Sequence, residues 1–119
     1  MPAAKYDLII EEGSKFDLDI TWKDEDESLI DLTGYEARMQ IRVYKNSQTY
    51  LAEWTSDDYI TLGGAAGTIA IEVGADVTAD LHWQDFKGYY DLEIYDPNDD
   101  SNVTRILEGR VRYSREVTR

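Results

Sequence analysis

The sequence predicts an all-β fold in which two sheets pack face to face, and three observations carry that prediction. In residues 35–44, Ala37, Met39, Ile41 and Val43 interleave with Glu36, Arg38, Gln40 and Arg42, the two-residue period of a strand with one apolar face. The same period returns in residues 16–22, 67–73 and 89–95. Turn-forming clusters separate these stretches, notably Gly63-Gly64-Ala65-Ala66-Gly67 and the Asx-rich run around Pro97. Short strands at such intervals describe an immunoglobulin-like antiparallel β-sandwich of about seven or eight strands with one short helical turn.

Taken in order, residues 6–10 read as a first strand and Glu11-Glu12-Gly13-Ser14 as the turn that follows. In residues 16–22, Phe16, Leu18, Ile20 and Trp22 share a face, which places this strand near the centre of the core. Residues 23–28 are too charged to bury, 29–32 form a brief extended piece, and Thr33-Gly34 turns into the long strand 35–44. Residues 49–55 follow as an edge strand, with Tyr50, Ala52 and Trp54 on one side and Leu51 and Glu53 on the other. The glycines at 63–67 make a turn into strand 68–73. A phosphate-binding loop is rejected there, because no Lys-Ser/Thr pair or long helix follows. Residues 75–81 form the one helical stretch, about two turns long, with Val77 and Leu81 spaced i, i+4. Strand 89–95 reverses through 96–102 into a last strand, 105–114, where Gly109 marks a bulge. Asp85, Gly88 and Tyr90 suggest a tyrosine whose hydroxyl ties a crossover loop to its own sheet.

The chain has 119 residues with 12 basic against 25 acidic ones, a formal charge of −13. Such a length suits one domain with one core. A surface this acidic repels phosphate backbones and anionic headgroups, so neither direct nucleic-acid binding nor a membrane partner is expected. No apolar run reaches the length of a membrane span or a secretory signal core, and the expectation is a soluble protein not exported by a signal peptide. Without cysteine, no disulfide, thiolate metal site or thiol nucleophile can form.

Catalytic equipment is not apparent. His82 stands alone between Leu81 and Trp83 with no nucleophile beside it. Acidic pairs such as Asp57-Asp58 follow from composition, and nothing marks two carboxyls for glycoside hydrolysis. Asp96, Asn98 and Asp100 alternate as the ligands opening a calcium loop do. Ser101 stands where such a loop needs glycine and Leu107 where it needs a bidentate glutamate, so the run reads as an ordinary turn. No enzyme activity, metal or cofactor is expected.

The interaction candidates are Tyr50 of strand 49–55 and Trp54, Tyr59 and Trp83, which like Tyr89 and Tyr95 lie near strand ends or on the face opposite the inferred core, together with Arg110, Arg112, Arg115 and Arg119 of the basic C-terminal stretch. Against those arginines stand acidic loops, Asp24-Glu25-Asp26-Glu27 and Asp99-Asp100, a polarity that lets copies or partners meet head to tail. The competing reading pairs arginines across strands with carboxylates such as Asp91 and Glu93.

The block Asp31-Leu32-Thr33-Gly34-Tyr35-Glu36-Ala37-Arg38-Met39-Gln40-Ile41-Arg42 resembles a group of small structural proteins of tailed bacteriophages. Gly13 with Phe16, Thr78-Ala79-Asp80-Leu81, Tyr90-Asp91-Leu92-Glu93-Ile94 and Gly109-Arg110-Val111 continue the shared pattern in order, across nearly the whole chain. Related sequences form the N-terminal part of baseplate upper proteins, where the domain is similar in role to a docking module. The resemblance implies a non-enzymatic virion component of tail, baseplate or fibre attachment, assembled in the host cytoplasm. Its partners would be other phage structural proteins and further copies of itself. A head decoration protein, a carbohydrate-binding module for host-surface recognition and an acidic mimic of DNA are the alternatives.

Overall fold

The structure, a computed structural model, describes residues 3–117. Among these described residues nine strands form two open sheets, and the inner faces of both feed one hydrophobic core. In chain order they are β1 (Ala4–Lys5), β2 (Leu8–Glu11), β3 (Phe16–Thr21), β4 (Glu36–Arg42), β5 (Ala52–Thr55), β6 (Ile60–Leu62), β7 (Thr68–Val73), β8 (Phe86–Asp96) and β9 (Asp99–Ser114). A 3-10 turn, Gly64–Ala66, joins β6 to β7, and one short helix, α1 (Ala75–Ala79), precedes β8. The larger sheet runs β1-β9-β8-β4-β5 with β2 also on β9, and the smaller runs β3-β7-β6.

Alternation places the core as expected along β4, where Ala37, Met39 and Ile41 are buried. Leu92 and Ile94 of β8, Leu107, Val111 and Tyr113 of β9, and Ile69, Ile71 and Val73 of β7 complete the facing layers. Trp54 joins the two sheets, its ring 6.0 Å from Phe16 and edge-on to Tyr59 at 6.2 Å.

Several expectations are corrected. The sandwich is not wholly antiparallel, because β1 and β2 both pair parallel with β9. The first strand is interrupted at Tyr6-Asp7, yet its register on β9 is the same on both sides of the break. There the Tyr6 N–H donates to the Glu108 carbonyl at 2.9 Å, and the Asp7 carboxylate accepts the Arg110 N–H at 3.0 Å. The β3 strand is an edge strand, so Leu18 and Ile20 are only half-buried. Gly109 is no bulge: a Cβ there would lie 2.2 Å from the Tyr6 carbonyl oxygen, so glycine admits the crossing chain. The bulge is at Ile106, where pairing with β8 slips between Leu92 and Glu93. Tyr90 does tie backbone through its hydroxyl, but to the Tyr6 carbonyl and not to a crossover loop. The helix is shorter than expected, ending before His82, which takes a left-handed φ of 52°.

The Asx run at 96–102 is the tip of the β8–β9 hairpin. Asp96 accepts the Asn98 N–H at 2.9 Å, and Asp99 accepts the Ser101 N–H and hydroxyl at 3.0 and 2.7 Å. Carboxylates so engaged stabilise the turn itself. Among the described residues no group of three His, Cys, Asp or Glu is placed to hold a metal ion.

Candidate functional site

Because the core takes Tyr90, Leu92 and Ile94, the residues between them face outward, and strand register decides which meet. Arg42 lies opposite Tyr89, and Tyr89 opposite Arg110. One step along, Gln40, Asp91, Glu108 and Lys5 form a second row across four strands. With Lys45 and Arg105 these rows enclose a groove of about 330 Å³ on the outer face of the larger sheet.

The second row neutralises itself. Arg105 contacts Asp91 at 3.4 Å and Glu108 at 3.0 Å, and Lys5 reaches Glu108 at 3.6 Å. The hydrogen bond from Arg105 holds the Glu108 carboxyl below its ordinary range, with Lys5 adding to the effect. Burial, then the neighbouring Glu93 charge, pushes the Asp91 carboxyl up.

The first row is different. The Tyr89 ring is flanked by two cations, the Arg110 guanidinium 4.6 Å and the Lys45 ammonium 5.5 Å from its centroid. Arg42 donates to the Ser47 carbonyl at 2.8 Å and to the Gln40 side-chain oxygen at 2.7 Å, which fixes its fork without neutralising it. Among the described residues, no carboxylate lies within ion-pair distance of Arg42, Lys45 or Arg110. Two cations on one aromatic ring, with Arg42 opposite it on the next strand, suit the recognition of an anion. At the rim, Tyr50 lies under Arg42 at 5.9 Å and is exposed.

The interaction candidates divide accordingly. Tyr50 and Arg110 belong to the groove and its rim. Trp54 is 3 % exposed and Tyr59 packs against it, so the outward placement of Trp54 is overturned: β5 presents that side to the core. Trp83 is half-buried, edge-on to Phe86 at 5.7 Å and tilted against Tyr113 at 5.1 Å. Arg112 is exposed opposite Lys87, outside the groove lining. The Arg115 N–H is held by Asp85 at 2.7 Å, while its Nε is buried. Arg119 lies outside the described residues. Of the expected cross-strand pairs, Arg105 with Asp91 forms, whereas Glu93 is taken at 2.8 Å by Arg38 of β4 and not by an arginine of the C-terminal stretch. Reading the sequence alone misses Arg42, Lys45 and Lys5 as site residues. Their signal was the outward phase of β4 and β8, which names a site only once the register is known.

No family model matches the chain, and no curated protein does. Among solved structures it is similar to the extracellular domains of the voltage-gated sodium channel β4 subunit, described as parallel homodimers that explain a role in cell–cell adhesion. That match has 14 % identity, covers 98 % of this chain and 97 % of that one, and has a TM-score of 0.40. A second is a structure from photo-crosslinking work on multimeric cell-adhesive interactions of sodium channel β subunits. There identity is 16 %, coverage 94 % and 92 %, and the TM-score 0.43.

Proposed function

We propose that this chain is a non-enzymatic structural protein of a tailed bacteriophage particle, an adaptor of tail, baseplate or fibre attachment that works through protein–protein contacts. The observation that carries the contact reading is the tyrosine-centred cationic groove, set in a chain of formal charge −13 and bordered by exposed Tyr50 under Arg42. Charge held against the overall balance steers one kind of partner, and tyrosines at a rim anchor it.

The phage assignment rests on the resemblance, and the motif residues have a physical logic. Asp31 accepts the Thr33 N–H and hydroxyl at 2.9 and 2.6 Å, forming the turn that seats buried Leu32 before β4. Buried Thr78 accepts the Gly13 N–H at 3.1 Å and donates to the Ser14 carbonyl at 2.9 Å, joining two distant motif elements. Gly109 admits the Tyr6 carbonyl. The pattern thus specifies a scaffold, and the groove supplies the contact surface. The carbohydrate alternative loses its tryptophan platforms, since Trp54 is buried and Trp83 is packed on Tyr113.

The test is immunogold labelling of purified particles with an antibody against the folded chain. Gold at the tail or baseplate supports the proposal. Gold on the capsid favours a head decoration protein, and particles without label contradict a virion role.

A further inference from the structure

The acidic loop after β3 is a built feature. The Ile30 N–H donates to the Trp22 carbonyl at 3.0 Å and the Asp24 N–H to the Ser28 carbonyl at 2.9 Å, so residues 22–30 form a small hairpin. The Asp24 carboxylate secures the tip by accepting the Asp26 and Ser28 N–H groups, both at 2.9 Å. Asp24, Glu25, Asp26 and Glu27 are all exposed. A preformed tip loses little conformational freedom on docking.

The hairpin extends from the smaller sheet, whereas the groove, where Lys5, Arg42, Lys45, Arg105 and Arg110 outnumber Asp7, Asp91 and Glu108, lies on the outer face of the larger one. We propose that the Arg42–Lys45–Arg110 groove receives the acidic hairpin tip of a second copy of this chain, joining copies head to tail. The groove volume suits a loop tip better than a folded element. Arginine forks and a lysine meet carboxylates there, and Tyr89 supplies a ring against which the tip's side chains lie. Because groove and tip are different surfaces, the contact is heterologous, and it produces a ring or an open filament according to its rotation. This inference rests on reading that face as a protein-contact surface, and not on placement in a particle.

Sedimentation velocity of the full chain tests it through a charge-swap design. Wild-type chain should self-associate at about 50 mM salt, with affinity falling at least about tenfold by about 500 mM as the pairs are screened. Lys45→Glu with Arg110→Glu, and separately Glu25→Lys with Asp26→Lys, should each lower self-association at least about tenfold. An equimolar mixture of the two variants should regain it, because the basic tip then meets an acidic groove. Circular dichroism checks folding; if the swap unfolds the groove variant, Lys45→Gln with Arg110→Gln replaces it and is read by the loss of self-association alone, without the mixture. A wild-type chain that stays monomeric at low salt overturns the inference, as does self-association insensitive to the swaps or a mixture that does not recover. A monomeric chain that still labels particles removes this inference alone. A self-associating chain absent from particles removes the virion placement alone.

Discussion

Tyr113 and Tyr90 tie the scaffold together by their hydroxyls, and both are buried. Tyr113 donates to the Glu12 carboxylate at 2.7 Å, and burial together with that hydrogen bond pushes its phenol from 10.0 up to about 12. Burial likewise raises Tyr90, which donates to the Tyr6 carbonyl. A phenol whose folded pKa lies above its unfolded one contributes stability that is complete below the unfolded value and is lost as pH rises toward the folded value. Stability to urea should therefore be level from about neutral pH to about pH 10 and then weaken by on the order of 1.4 kcal/mol per pH unit for each tyrosine. Tyr113→Phe should remove about one tyrosine's share of that alkaline slope, which Tyr90 and Tyr95, also raised, continue to supply; an unchanged slope would contradict the assignment. Trp54→Ala should cost about 3–5 kcal/mol, measured by the same method, because it opens a cavity between the sheets. A loss under about 1 kcal/mol would mean that Trp54 is not the inter-sheet contact. The aromatic count was legible in the sequence, but the burial of Trp54 was not. Residues 49–55 carry apolar side chains on both faces, so alternation alone could not say which face turns inward.

At the scale of elements, β9 is the strand on which the larger sheet depends, since it pairs with β8 on one side and with β1 and β2 on the other. Its alternation was legible through Leu107, Val111 and Tyr113, but its parallel partners were not. Tyr6 and Asp7 break the first strand for a reason that lies about a hundred residues away, in the backbone at Gly109. Gly109→Ala should lower stability by roughly 1–3 kcal/mol, because the added methyl meets backbone that cannot rotate away. A thermal midpoint unchanged within about 1 °C would show that the crossing relaxes freely. The β3 strand shows the converse limit. Its clean period identified a strand correctly, but period reports the apolar face and says nothing of whether a strand is central or at an edge, and β3 is an edge.

For the whole molecule, the decisive property is the distribution of charge. The excess of carboxylates was plain from composition, and so was a chain polarised between acidic loops and a basic C-terminal stretch. The basic pole that matters differs from the one composition suggested. Arg110 contributes, but its companions Arg42 and Lys45 come from β4 and the loop after it, and pairing through Tyr89 brings them together. Long-range attraction between an acidic hairpin and this groove gives copies a preferred orientation before contact, and screening by salt weakens it. The most direct test of the groove as the working surface is an amide NMR titration of isotope-labelled chain with unlabelled chain at low salt. The expected result is concentration-dependent shifts at Arg42, Lys45, Tyr89, Arg110 and residues 24–27, reversed by salt. Shifts confined to the β5 or β3 edges, or none at any concentration, would contradict it.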